Sequence, residues 1–563
     1  MSPTADSQHV ITGIGVSPGR AAGVVVAMPD AVPEPAAVTL GEDADPESAA
    51  EGIAAASARV RADLEHAATR TSGTGREVME TTAMMAADPA LVEAAQRLVR
   101  EGRLDPARAV WQAAHEVIGK LTALGGYMAE RAGDVADVRN RIVAALSGLP
   151  APGVPDPGHP FVLLATDLAP ADTAILDPER VVAIVTREGG PMSHTAILAR
   201  ALGIPAVVGA AGASMLTEGA RVLVDGAAGT ITLDPTDAQM ARVAELAARV
   251  RTFDGTGRTK DGHLVPLLAN IGRPDDAQPA ADAGAEGVGL FRTEFCFLDR
   301  TEAPSIADQV AKYRQVLAPF GGKKVVVRTL DAGADKPLPF LTFADEPNPA
   351  LGMRGLRTAQ RNPEVLEDQL AAIAQAAAAE SAEVWVMAPM VATVAEAEDF
   401  VARCAAHGLT TAGVMVEVPS AALLSGPILA RAAFASVGTN DLTQYTMAAD
   451  RLLGDLAVLS TAWHSAVLQL ISATCRGGAQ QGRPVGVCGE AAADPALAVV
   501  LVGLGVSSLS MTARALPDVA AVLASVTYED CRRIADLALT AESADGARMA
   551  VRARIPVLDE LGL

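Results

Sequence analysis

Between residues 265 and 511 the chain carries eight short apolar runs: VPLLANI (265–271), GVGLFR (287–292), KKVVVRT (323–329), VWVMAPM (384–390), AGVMVEV (412–418), FASVGTN (434–440), PVGVCG (484–489) and SSLSM (507–511). Most are joined by long Ala-rich stretches with helical character. Eight strand–helix units over about 250 residues predict a (β/α)8 TIM-type barrel. Such a barrel gathers its active site at the carboxyl ends of its strands, so the residues that close each run test the reading. The second run closes on Arg292 and the third on Arg328. The fifth carries Glu417, the sixth leads into Asn440 and Asp441, and the seventh carries Cys488. Polar groups therefore punctuate the apolar runs where a site should lie.

Those residue types suit a small, highly anionic ligand. Guanidinium groups bind phosphate and carboxylate through two parallel hydrogen bonds and stay charged. Two carboxylates on neighbouring strand ends suit Mg²⁺, which takes one or two carboxylates together with substrate oxygens and water. A metal with several arginines is the usual electrostatic answer to phosphoryl transfer. Cys488, in the Gly-flanked sequence VCGE, is a thiol that could protonate a carbon centre. Each residue alone has an ordinary explanation: an arginine in a surface ion pair, Glu417 as a helix cap, Cys488 as a small buried apolar group. Their joint placement on successive strand ends lifts the set above its members.

Ahead of the barrel the pattern changes. Residues 8–28 read as a Gly-bounded strand pair, and a Pro- and Asp-rich stretch follows up to Pro46. From Glu47 to Leu146 apolar residues recur at helical spacing, with breaks near Ser72–Gly75, Asp88–Pro89, Gly102–Pro106 and Gly125–Gly126. Four antiparallel helices are expected there. A Pro/Gly linker (149–160) leads to FVLLA, VVAIVT, PAVVG, RVLVDG and TITLD, the strands of a compact α/β unit with one helix over Ser193–Leu202. Residues 1–30 are expected to rejoin this unit, leaving the helices as an insertion. The resulting division is 1–30 with 150–233, 31–149, a linker helix over 234–258, and a barrel over 259–563.

Within the α/β unit, GGPMSHTAILAR (189–200) stands out. Pro191 and Ser193 open a helix and put His194 in its first turn. Backbone N–H groups and the dipole there attract an anion, so His194 could carry a phosphoryl group; a capping or packing histidine is the plainer alternative. The other seven of the 8 histidines lie in no comparable setting and show no metal-ligand spacing.

Composition sets the outer bounds. The 563 residues are 50% hydrophobic, 20% charged and only 3% aromatic, which is globular composition with aliphatic cores. A formal charge of −22 disfavours nucleic acid and is compatible either with a basic protein partner or with simple solubility. No secretory signal and no apolar run long enough to span a bilayer are apparent. The five cysteines form no CxxC pair and read as reduced thiols, so a cytoplasmic location is expected.

GIGVSPGRAAG (13–23), GGPMSHTAILARALGIPAVVG (189–209), GVGLFRTEFCFLDR, VVVRTLDAGADKPLP, NPALGMRGLR, VMVEVPSAAL, GTNDLTQYTMAADR and VCGEAAADP occur in the order found in Enzyme I of the bacterial sugar phosphotransferase system. The chain resembles that family, the phosphoenolpyruvate–protein phosphotransferases, over essentially its whole length. The resemblance implies a phosphohistidine α/β swivelling domain with an inserted helical domain, followed by a linker helix and the barrel. It implies transfer of the phosphoryl group of phosphoenolpyruvate to His194 and then to the phosphocarrier HPr, with release of pyruvate. Arg292, Arg328 and Arg451 match the family's phosphoenolpyruvate-binding arginines, and Asn440 matches its substrate-contacting asparagine. Glu417 and Asp441 match its Mg²⁺ ligands, and Cys488 its proton donor to the pyruvate enolate. Lys336 and Arg354 fall in segments expected to complete the phosphate cradle, and Thr173 matches a residue that orients the histidine. HPr would dock on the helical insert, and the barrel would form a homodimer. Pro191 and Met192 depart from the more polar residues usual beside the histidine, and the stretch from Leu456 to Trp463 is also atypical. The related dikinases and synthases add a nucleotide-binding domain, for which no Gly-rich phosphate loop is present. A non-catalytic regulatory relative is disfavoured because His194, Cys488 and both carboxylates are in place.

Overall fold

The computed structural model describes residues 9–29, 32–41, 43–69, 74–124, 126–168, 176–190, 193–247, 251–298, 300–333, 338–341, 346–450, 456 and 459–563. The chain divides into two compact units, one of Met1–Ser17, Ala21–Gly189 and His194–Met240, the other of Pro18–Arg20, Gly190–Ser193 and Ala241–Leu563.

The first unit is built on β1 (Val10–Thr12), β2 (Ile14–Ser17), β3 (Arg20–Ala27), β4 (Phe161–Ala165), β5 (Val181–Thr186), β6 (Ala206–Val208), β7 (Arg221–Asp225) and β8 (Thr230–Leu233). They form one sheet in the order β1-β8-β7-β3-β4-β5-β6-β2. The amino-terminal strands thus rejoin the later ones: β3 runs parallel to β4, with Val25 opposite Val162, and β1 pairs antiparallel with β8. Because side chains alternate across a strand, the sheet feeds two apolar clusters. Val25, Val162, Leu164, Ala183 and Val185 face one side; Val26, Phe161, Leu163 and Ile184 face the other, with Ala196 and Ala199 of the helix His194–Leu202.

Between β3 and β4 lie α1 (Pro46–Thr69), α2 (Thr74–Ala86), α3 (Pro89–Gly102), α4 (Pro106–Leu124) and α5 (Gly126–Ser147). There are five helices rather than the expected four, since four breaks delimit five segments. Two of those breaks have clear local causes. Asp88 accepts the Ala90 N–H at 2.8 Å ahead of Pro89, and Arg103 takes the left-handed conformation (φ 50) that ends α3. Asp105 then caps α4 through the Ala107 N–H at 3.0 Å. Ile53, Val60, Leu64, Val99, Val110, Val138 and Ile142 form the apolar core of this insert.

The linker helix is shorter than expected. It covers Asp237–Ala247, and residues 251–258 are not helical. Asp254 accepts the Thr256 N–H at 3.0 Å and Gly255 has φ 80, a turn that competes with helix.

The second unit is a closed barrel of parallel strands: β9 (Leu267–Ile271), β10 (Gly287–Arg292), β11 (Lys324–Arg328), β12 (Glu383–Ala388), β13 (Ala412–Val416), β14 (Ala435–Val437), β15 (Val485–Val487) and β16 (Ser508–Met511). Closure comes from β16 on β9, with Leu509 opposite Leu267. All eight apolar runs are strands of this barrel. Inside it, Leu290, Val326, Met387, Met415, Phe434 and Cys488 form a separate apolar layer. Among the described residues no helix is long and apolar enough to cross a membrane.

Ile142 is 1% exposed in the core of the helical insert. Ile142→Ala should destabilise the insert by about 2–5 kcal/mol, read as an earlier helical unfolding transition in denaturant. A loss below about 1 kcal/mol would mean that this core is loosely packed.

Candidate active site

The carboxyl ends of β10 and β11 bring Arg292 and Arg328 opposite one another in register. They differ in setting: Arg292 is exposed, whereas Arg328 is 6% exposed. Nη2 of Arg328 donates to Glu294, just past β10, and Nη1 lies 3.3 Å from Asp331 Oδ2. Burial works against the Arg328 charge, but the carboxylates of Glu294, Asp331 and Glu417 outweigh it and hold its pKa above the ordinary value. Asp331 is fully buried and accepts from Arg354 Nε and Nη2, each at 3.1 Å. Arg354, also fully buried, turns Nη1 to Asp441 Oδ1 at 3.1 Å and to the Tyr445 hydroxyl at 3.4 Å. A chain of charge-assisted bonds thus runs Glu294–Arg328–Asp331–Arg354–Asp441.

Glu417 follows β13 and is 1% exposed. Its Oε1 accepts the Met390 N–H at 2.6 Å. Met390 holds φ 59, a costly conformation for a residue with a side chain, so the backbone is bent to deliver that donor. Burial, then the charges of Asp441 and Asp331, push the Glu417 carboxyl up to about 8, against the pull of Arg328 and the Met390 N–H. Among the described residues, four carboxylates (Glu294, Asp331, Glu417, Asp441) gather here around the guanidiniums of Arg328 and Arg354. The all-oxygen donor set and the repulsion felt by Glu417 fit a hard divalent cation. Among the described residues no three His, Cys, Asp or Glu side chains converge on one ion position. Such a cation would therefore rest on two carboxylates and on ligand oxygens.

Asn440, at the start of helix Thr439–Met447, accepts the Glu490 N–H at 3.4 Å. Cys488 follows β15, is 1% exposed, and donates its thiol toward the Val437 carbonyl at 3.6 Å. Burial raises the thiol to about 11, while the Ser436 hydroxyl and the charges of Arg328 and Arg292 pull it back. The group is held as a neutral S–H, the form that can donate a proton. A Cβ on neighbouring Gly489 would fall 1.8 Å from Thr439 Oγ1, so only glycine lets the two loops meet. Lys336 and Arg451 lie outside the described residues, as do Thr173, Pro191 and Met192.

His194 heads its helix in the first unit, directly after Ser193, whose N–H donates to the Gly190 carbonyl at 3.0 Å. Gly189, just ahead of that segment, has φ 93, which glycine adopts readily. The next residue, Thr195, is fully buried and donates to Asp167 Oδ1 at 2.9 Å, and Asp167 Oδ1 also accepts the Leu168 N–H at 2.8 Å. These bonds tie the start of the helix to the loop that follows β4.

Models of phosphoenolpyruvate-utilising enzymes match the chain in three successive segments: the N-terminal domain over residues 12–131, the mobile domain over 157–229 and the phosphoenolpyruvate-binding domain over 247–528. A phosphoenolpyruvate-protein phosphotransferase of Streptomyces coelicolor is 51% identical over 553 residues, covering 97% of this chain and 99% of its own. The chain belongs to the phosphoenolpyruvate–protein phosphotransferase family. A family member from Haloferax volcanii is 39% identical, with 95% of this chain and 98% of its own covered. A multiphosphoryl transfer protein of Xanthomonas campestris is 37% identical over 96% of this chain and 67% of its own length.

For this phosphotransferase, reading strand ends alone missed Glu294, Asp331, Tyr445, Met390 and Asp167. Glu294 and Asp331 lie two and three residues past Arg292 and Arg328, so a search for carboxylates just beyond the strand-end arginines would have found both. Nothing in the sequence marks Met390, whose part is a backbone N–H.

Removing the Asp331 carboxylate would strand the buried Arg354 guanidinium. Asp331→Ala should cost about 3–5 kcal/mol of barrel stability, measured by denaturant unfolding. A cost under about 1 kcal/mol would show that the chain of ion pairs does not brace the barrel mouth.

Proposed function

We propose that the protein moves the phosphoryl group of phosphoenolpyruvate onto its own His194 and then onto the histidine of the phosphocarrier HPr, releasing pyruvate at the first step of sugar phosphotransfer. The observation that carries this reading is the barrel mouth itself: exposed and buried guanidiniums, two cation-ready carboxylates and a neutral buried thiol on successive strand ends.

In this reading Arg292 and Arg328, with Arg451 and Lys336, bind the phosphate and carboxylate of the substrate. Arg328 arrives already oriented by Glu294 and Asp331, which reduces reorganisation as charge moves during transfer. Asn440 contacts the substrate. Glu417 and Asp441 hold Mg²⁺, which when bound would neutralise phosphoryl oxygens. Arg354, which also aims Asp441, completes the phosphate cradle together with Lys336. His194 attacks in its neutral form, and the helix amino terminus favours the negative charge it gains. Thr173 orients the imidazole. As the phosphoryl group leaves, Cys488 gives its proton to the enolate carbon, which becomes the methyl group of pyruvate.

The division of labour follows: residues 1–30 with 150–233 carry the phosphohistidine, 31–149 dock HPr, 234–258 link the two halves, and 259–563 bind substrate and form a homodimer. A cytoplasmic location fits five reduced cysteines, all buried.

Incubation with ³²P-labelled phosphoenolpyruvate and Mg²⁺, without nucleotide, should place an acid-labile label on His194 that chases onto HPr. His194→Ala should take no label, and wild-type labelling in that variant would remove His194 from the assignment. Arg292→Ala should lower the labelling rate by about a hundredfold or more, the usual scale for loss of a group that stabilises developing charge. An unchanged rate would remove Arg292 from the site.

A further inference from the structure

β11 ends at Arg328, and the residues that follow lead to Asp331, the carboxylate that grips Arg354. Side chains meet the backbone of this short segment. The Arg328 carbonyl accepts the Thr293 hydroxyl at 2.9 Å, and the Leu330 N–H donates to Gln369 Oε1 at 2.9 Å. The Asp331 N–H donates to Glu294 Oε1 at 3.3 Å, and Glu294 also bonds the Arg328 guanidinium. Thr293 follows Arg292 at the end of β10. Gln369 comes from elsewhere, the helix Pro363–Ala379, 39 residues beyond Leu330.

Gln369 ties these contacts together. While its Oε1 holds Leu330, its Nε2 donates to Thr293 Oγ1 at 3.0 Å and to the Tyr313 hydroxyl at 3.1 Å. Tyr313 in turn donates to Gln309 Oε1 at 2.9 Å, and Gln309 Nε2 donates to the Pro304 carbonyl at 3.2 Å. Thr293, Gln309, Tyr313 and Gln369 are all buried. Two ends of the relay set the direction of its bonds. The Leu330 N–H can only donate, so it requires the amide oxygen of Gln369 and leaves the amide nitrogen to face Thr293. Thr293 accepts from that nitrogen, and its own proton goes to the Arg328 carbonyl, which can only accept. A methionine at 369 would fill the same space and hold neither Leu330 nor Thr293. A buried polar network with every member satisfied holds a single geometry.

We propose that Gln369 is a positioning residue for the phosphoenolpyruvate site: through Thr293 and Leu330 it fixes the backbone from Arg328 to Asp331, and with it the aim of the Arg328 guanidinium. This inference rests on Arg328 binding the substrate. Gln369 acts on the reaction only through that arginine. Its leverage comes from place. The bond to Leu330 sits two residues past Arg328, and the bond to Thr293 governs the hydroxyl that holds the Arg328 carbonyl itself. Thr293 also adjoins Arg292, so one amide spans the ends of both arginine-bearing strands. Misplacing such a group by about 1 Å can cost on the order of a hundredfold in rate.

Single-turnover labelling of the full-length protein with ³²P-phosphoenolpyruvate and Mg²⁺, over a range of substrate concentrations, tests this. Gln369→Met and Thr293→Val should each raise the half-saturating concentration of phosphoenolpyruvate by about tenfold, the signature of lost substrate binding. Thr293→Ser, which keeps the hydroxyl, should return it to within about twofold of wild type. A fault confined to folding lowers the fraction of protein that takes label and leaves the half-saturating concentration where it was. That result in Gln369→Met or Thr293→Val overturns the proposal. Should Gln369→Met fail to fold, Gln369→Leu and the Thr293 pair, which alters a single hydroxyl, decide by the same measure. Arg328→Lys separates the two claims. If its half-saturating concentration stays at the wild-type value, Arg328 does not bind the substrate and both readings fail. If it rises while the Gln369 and Thr293 variants stay at wild type, only the positioning role is wrong.

Discussion

Asp331 is a carboxylate with no access to water, and its two oxygens are shared between two buried guanidiniums. Taking three such charges out of water is costly, and the cost is offset only where each donor and acceptor meets a partner in good geometry. Asp331 meets that condition by gripping Arg354 with both oxygens while one of them also faces Arg328. Arg328 is thereby fixed at the end of β11, and Arg354 is fixed where it can hold Asp441. In a low-dielectric setting such a network polarises along its length, and loss of one link exposes the next to an unpaired charge. The geometry of the barrel mouth is in this sense one object, not five side chains.

The same setting explains why Glu417 stands apart. Among the described residues no guanidinium lies within hydrogen-bonding reach of it, and its partner is the Met390 N–H that a left-handed backbone turns toward it. Its neighbours Asp441 and Asp331 are like charges, and the raised pKa records that conflict. A carboxylate crowded by like charges gains from a bound cation, and perturbed carboxylates of this kind cluster at functional sites. In the other unit the histidine is treated differently. Its helix is anchored through Thr195 to Asp167, a single hydrogen bond to the loop after β4.

The barrel was readable because each strand is a short apolar run bounded by turns, and because polar residues end the runs. Periodicity reports both features directly. The insertion was readable for a similar reason, a change from strand-like to helical spacing at Glu47, though the number of helices was undercounted where breaks were short. The linker helix was overextended because charge and alanine content continue past Ala247, while the Asp254–Gly255 turn that ends such a segment is a local hydrogen-bond effect. Within the site, arginines at run ends were visible and their carboxylate partners were not. Asp331 and Glu294 lie just outside the runs, and pairing among buried charges depends on loop paths that spacing does not encode. Met390 acts through a backbone bend, which has no residue-type signature.

The interleaving of the first unit also constrains how the chain is made. β1 and β8 are edge partners, with Val10 opposite Thr232, so the sheet cannot close until 222 residues separate its first pair in the growing chain. At roughly 5–20 residues per second, ribosomal synthesis would take on the order of 10–40 s to cover that span. The five-helix insert, whose contacts are local, is complete far sooner and can fold while β1, β2 and β3 wait without partners. Those first strands are rich in Val, Ala and Gly and spend that interval with open edges. Nascent-chain quality, more than equilibrium stability, is then the step at which this architecture is most exposed to aggregation, and slowing translation after Ser147 would lengthen the exposure.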